Sequence, residues 1–157
     1  MTLDALLDAL ILIKTPAQAH AWLAALIVCG LAWWRGDRPE RMAVSMILIN
    51  WVITGLVDQI FWGGVIWGVV LIDGLLFAAL YGLALRYPRW WIHGAGAFAL
   101  LTFLSHFAAM LDPLILQWAN ATLRYLTSYG LLLTLLAGAV EAPLARRYEA
   151  WRARALA

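Results

Sequence analysis

Five residues are polar or ionisable and lie in otherwise apolar stretches: Asp58, Asp73, His106, Asn120 and Arg124. An ionisable side chain surrounded by Leu, Ile, Val, Phe and Ala must find a partner or serve a function. Aspartate and arginine offer opposite charges, and histidine can donate, accept or take up a proton near neutral pH. Gln117, Asn120, Arg124 and Thr127 or Ser128 recur at helical spacing, so they share one face. Turned inward, that face brings Arg124 to an acidic partner. Asp73 and Asp58 are the expected partners, Asp112 is a rim alternative, and His106 is expected within reach of the same cluster.

Two readings of this cluster compete. In one, Asp73, His106 and Arg124 line a polar pocket that holds a small molecule. In the other, Arg124 pairs with an aspartate or snorkels to an interface, and His106 donates to a carbonyl. Other chemistries find less support. His20 and His106 fall at similar depth on different segments, a spacing open to haem ligation by two imidazoles. No HExxH, P-loop or GxSxG pattern occurs, and no catalytic residue, metal site or resident cofactor is expected. The Asn120-Ala-Thr122 triplet matches a glycosylation acceptor but sits inside an apolar segment. Cys29 is the only cysteine, so no intrachain disulfide forms, and it reads as a small core residue.

The setting of these residues follows from composition. Hydrophobic residues make up 65% of the 157, charged residues 13%, and the mean hydropathy is +0.83. A soluble domain is nearer half apolar and a quarter charged. A chain this apolar could not cover its own surface in water, so the bilayer is its natural solvent. The net charge of +2 comes from short arginine clusters. These orient a membrane protein and do not form a nucleic-acid footprint.

Five spans are expected, at about 17–34, 42–60, 65–85, 90–111 and 114–140. Residues 1–16 read as a short amphipathic helix over 2–13, interfacial or re-entrant or else the outer part of a kinked first span, with Leu3, Leu6, Leu7 and Leu10 on one face and Asp4 and Asp8 on another; Pro16 ends or kinks it. Acidic residues precede its apolar run, unlike a cleaved signal peptide, and no lipidation motif is present. RGDRPER (35–41) and RYPR (86–89) read as basic solvated turns, DQIFWGG (58–64) and Asp112-Pro113 as turns without basic residues. Glu141-Ala-Pro143 reads as a helix exit into a basic tail, 141–157. Basic loops alternate strictly with the others, which puts the N-terminus outside and the C-terminus inside. Trp33, Trp34, Trp90 and Trp91 flank the basic turns. Trp22, Trp62, Trp67 and Trp118 fall near the opposite ends, as an aromatic belt does. Trp51 is the exception at mid-span. Gly94, Ala95 and Gly96 allow close helix approach.

Depth can be counted from the basic turns at about 1.5 Å per residue. Asp58, His106 and Arg124 each lie 17 residues from a cytoplasmic anchor, at Arg41, Arg89 and Glu141 respectively. That is about 26 Å, near the far edge of a core about 30 Å thick. Asp73, 13 residues from Arg86, lies about 6 Å deeper. Asn50 is deeper still.

GDRPER after a first span, an aspartate in the third, a basic turn before Trp90-Trp91 and a histidine late in the fourth resemble small polytopic alphaproteobacterial inner-membrane proteins of unassigned function. The resemblance covers roughly residues 30–140 and implies the bacterial inner membrane as location, with no activity. Length and tryptophan content are also similar to the tryptophan-rich sensory family, but its proline-rich aromatic loop after the first helix is missing. The expected function is a non-enzymatic accessory or interaction subunit of a larger inner-membrane complex, with the lipid bilayer and other membrane subunits as partners and no nucleic acid. The alternatives are a binding or transport module with a periplasm-facing pocket of Asp73, His106 and Arg124, and a haem-carrying redox subunit.

Overall fold

The computed structural model describes residues 16–57, 61–62, 65–111 and 117–155. The expected helix at 2–13, Asp58 and the Asp112-Pro113 turn lie outside them. Five helices carry the described chain: α1 (Pro16–Arg35), α2 (Arg38–Val57), α3 (Trp67–Arg86), α4 (Trp90–Leu111) and α5 (Gln117–Ala155). Between α2 and α3, β1 (Phe61–Trp62) and β2 (Val65–Ile66) pair antiparallel, Phe61 opposite Ile66 and Trp62 opposite Val65. This pair takes up the first residues of the expected third span.

The helices are antiparallel neighbours because their connections are short. Gly36 and Asp37 alone separate α1 from α2, and residues 87–89 separate α3 from α4. Successive helices pack side by side, and α5 closes the ring against α1 and also touches α2. The inner face of α1 carries Ala25, Cys29 and Ala32, that of α3 Leu76, Leu80 and Leu83, and that of α5 Leu131, Leu132, Leu135 and Ala139. Each set recurs at three- and four-residue spacing, as one helix face requires.

The outer faces are equally apolar. Leu23, Leu26 and Ile27 of α1, Leu71 and Leu75 of α3, Leu101 and Leu104 of α4, and Leu126 and Leu133 of α5 are all exposed. Water would not tolerate such a belt, whereas hydrocarbon replaces the missing contacts. Among the described residues three helices are long and apolar enough to cross a bilayer: α2, α3 and, over Thr122–Ala155, α5. The chain is an all-α transmembrane protein.

Three expectations at the basic end need correction. The segment 35–41 is not a solvated turn throughout. Asp37 caps α2, the Glu40 carboxylate accepts the Asp37 amide at 2.8 Å, and the Arg41 amide closes the first helical bond to Asp37 at 3.2 Å. This one-sided cap by the Glu40 side chain, with Pro39 in the first turn where its missing N–H does no harm, starts α2 four residues early. Pro143 is no helix exit. It lies inside α5, which continues to Ala155 because Leu144–Ala155 is rich in Ala and Arg, both strong helix formers. Finally, Trp91 is no interfacial anchor. It is fully buried, and Gly138 makes the room: a Cβ there would lie 2.6 Å from the indole. The exposed Trp33, Trp34 and Trp90 keep the belt position, and mid-span Trp51 packs edge-on against Trp22 at 5.2 Å.

Candidate functional site

The buried polar groups form two clusters, one inside the bundle and one at its basic end. Asp73 is the centre of the first. It sits on α3 on the inward face that also carries Leu76 and Leu80, and it is 7% exposed. His106, on α4, approaches with Nε2 at 2.9 Å from Asp73 Oδ2. Asn50, on α2, donates from Nδ2 to Asp73 Oδ1 at 3.3 Å and to the Ile72 carbonyl at 3.1 Å. Both carboxylate oxygens are therefore engaged, by side chains from the two helices flanking α3. His106 and Asn50 are as deeply buried as Asp73. The contact is an ion pair when His106 is protonated and a hydrogen bond from Nε2–H when it is neutral.

Next to this cluster in sequence, α4 and α5 are joined by hydroxyls. Thr102 Oγ1 donates to the Phe98 carbonyl and lies 2.7 Å from Thr127 Oγ1, whose own bond runs to the Arg124 carbonyl at 3.0 Å. Ser105 is buried and donates to the Thr102 carbonyl at 2.7 Å. On α2, one turn beyond Asn50 and on the same face, Thr54 Oγ1 is buried without a hydrogen-bond partner among the described residues.

The structure brings together two of the five expected residues, Asp73 and His106, and adds Asn50 as the third member. Arg124 is half-buried on α5 and makes no ion pair among the described residues. The acid expected for it at Asp73 is instead satisfied by His106 and Asn50. Asp58, the other expected partner, and the Asn120 side chain lie outside the described residues. The two-histidine haem arrangement fits poorly: His106 spends Nε2 on Asp73, and His20 is exposed.

The second cluster ties three chain segments together at the basic end. Glu40, fully buried, accepts from Trp91 Nε1 at 3.1 Å while capping Asp37. Arg89 donates to Glu141 at 3.1 Å and lies 3.7 Å from Asp37. Arg146 of α5 also pairs with Asp37 and donates to the Arg35 carbonyl at 3.1 Å. Burial opposes the charge on Arg89, but the hydrogen bond to Glu141, together with the fields of Glu141, Glu40 and Asp37, outweighs it and raises its pKa above the ordinary value. The Asp37-x-x-Glu40 spacing is a capping signature readable in the sequence. The pairing of Glu40 with Trp91 is not readable, since the two residues are 51 apart. Comparison with protein-family models, curated proteins and solved structures finds no match for this chain.

Proposed function

We propose that the chain is a non-enzymatic accessory or interaction subunit of the bacterial inner membrane, with five spans, the N-terminus outside and the basic end in the cytoplasm. The observation that carries this reading is the length of α5. The helix continues 14 residues past Glu141, about 21 Å. It presents Leu144, Tyr148 and Trp151 at helical spacing, with Tyr148 62% and Trp151 64% exposed, and the last two lie beyond Arg146, its last tie to the bundle among the described residues. Arginines 147, 152 and 154 flank this stripe. Trp, Tyr and Arg are the residue types that dominate protein–protein hot spots, and the basic end of a span normally faces the cytoplasm.

Helix lengths support that reading. Helices α1 and α4, with 20 and 22 residues, are each about 30 Å or more in length, enough to span. The α1–α2 turn at 36–37 and the α3–α4 connection at 87–89 meet Arg146 and Glu141 at one end of the bundle. The test is purification of the full chain from native membranes in mild detergent, with identification of co-eluting proteins. A stable partner should be lost in Tyr148→Ala/Trp151→Ala. A chain that elutes alone, with or without that stripe, contradicts the proposal.

A second reading has specific support in Arg124 and Thr54. A cation without an acidic partner among the described residues and a buried free hydroxyl suit a small polar or anionic ligand held near Asp73 and His106, in a binding or transport module open to the periplasm. Ligand-dependent stabilisation that vanishes in Arg124→Gln would favour it.

A further inference from the structure

At the α1–α2 turn lies a cleft of about 410 Å³ lined by Trp34, Arg35, Asp37, Arg38, Arg41 and Arg146. Four arginines thus face one carboxylate. That carboxylate is already taken, since Asp37 pairs with Arg146 and lies near Arg89. Arg146 is also held by the Arg35 carbonyl, so it serves as the fixed wall of the cleft. The other three guanidinium groups are open. Arg41 uses only Nε, on the Trp33 carbonyl at 3.1 Å. Arg35 lies over the Trp34 ring at 5.8 Å. Arg38 has no hydrogen-bond or ion-pair partner among the described residues and is exposed. Planar forks converging without acidic partners suit a phosphate oxyanion.

We infer that this cleft binds the phosphate of an anionic phospholipid headgroup from the leaflet on the basic side. A free phosphate ion would satisfy the arginines equally. The lipid source is favoured by the surface that leads away from the cleft. Leu23, Ile27, Gly30 and Trp34 follow one another at four-, three- and four-residue steps along α1 and are all exposed. A Cβ at Gly30 would meet nothing within 4 Å, so the stripe has a shallow dent between Ile27 and Trp34. An acyl chain can lie along this stripe with its headgroup at the arginines, and Trp33 and Trp34 sit where interfacial tryptophans belong.

The experiment measures binding to the full chain in mild detergent, by native mass spectrometry and thermal melting. The added probes are phosphatidylglycerol, phosphatidylcholine or inorganic phosphate. Phosphatidylglycerol should bind more tightly than phosphatidylcholine, and added salt should weaken it. Arg35→Gln/Arg38→Gln should weaken phosphatidylglycerol binding about 25-fold, at about fivefold for each arginine near an anionic surface. Arg147→Gln/Arg152→Gln removes the same charge outside the cleft and should change affinity far less. Gly30→Leu, which fills the dent and leaves the arginines in place, should weaken lipid binding without lowering the melting temperature in lipid-free detergent. Equal binding of the two lipids, or equal losses in the two double variants, overturns the site. Stabilisation by inorganic phosphate alone that matches phosphatidylglycerol overturns the lipid source.

Discussion

Replacing His106 by alanine removes one of the two side chains that satisfy Asp73. Asn50 still donates to Oδ1, but Oδ2 loses the 2.9 Å contact from Nε2 at a buried position. Stripping one partner from a buried charge pair costs about 3–5 kcal/mol, because the remaining charge is left uncompensated. Asp73→Asn is a milder change despite removing a formal charge. The new amide oxygen can still accept from Asn50, and its NH2 can donate to Nε2 once His106 carries its proton on Nδ1. A charge-assisted bond becomes a neutral one, at about 1 kcal/mol. The order of the losses, His106→Ala well above Asp73→Asn, is therefore the signature of a satisfied pair. The assay is reversible unfolding in mixed micelles, followed by helical circular dichroism, for both variants and for the cycle His106→Ala, Asp73→Ala and their combination. A coupling energy of about 1–3 kcal/mol is expected for directly bonded partners. Single losses that add to the double within about 0.5 kcal/mol, or Asp73→Asn falling as far as His106→Ala, refute the reasoning.

At the basic end, Arg89→Gln should cost about 1.5–3 kcal/mol in the same assay by removing the charged bond to Glu141. The raised pKa of Arg89 means that its contribution is present below the ordinary arginine pKa and is lost only at still higher pH, so unfolding from pH 7 to 10 should show no step from this group. Gly138→Ala should cost about 1–3 kcal/mol, because its Cβ would lie 2.6 Å from the Trp91 ring. Gly30→Ala, with nothing within 4 Å, should be neutral or slightly stabilising, and a melting curve for each decides. Trp91→Phe should lower stability by about 1–3 kcal/mol, because the buried Glu40 loses its indole donor; Trp90→Phe, at an exposed position, should not.

The transmembrane class was legible because composition alone fixes the solvent, and span boundaries followed from where arginine, glycine and proline interrupt apolar runs. Helix α4 has the bounds expected for a fourth span. The two misread ends were set by local chemistry that outweighs punctuation. At Glu40 a side chain returns to cap its own helix, and at Pro143 the following residues sustain the helix through the proline. The polar cluster was legible in part. Depth counting placed Asp73 and His106 about 6 Å apart along the membrane normal, a gap that side-chain length and helix tilt close. The same count leaves Asn50, nine residues from Arg41, about 6 Å from Asp73 on the other side, yet it also reaches the carboxylate. Arg124 stands out in the sequence because a guanidinium within an apolar segment cannot be neutralised by losing its proton. Which helix faces Asp73 is a matter of rotation about each axis, and spacing along one chain does not reveal that. Trp91 shows the same limit: beside Trp90 it looks like an anchor, but one residue of helix is about 100° of rotation, enough to turn it from lipid to core.

The proposed topology, five spans with the basic end in the cytoplasm, is open to single-cysteine labelling in a Cys29→Ala background. Cysteines at 38 and 147, both exposed in the wild-type residues, and at 112 are probed in intact cells and inverted vesicles with a membrane-impermeant maleimide. Position 112 should be labelled in cells, and positions 38 and 147 only in inverted vesicles. Labelling of position 38 or 147 from outside the cell, or of 112 on the same side as 38, would contradict it.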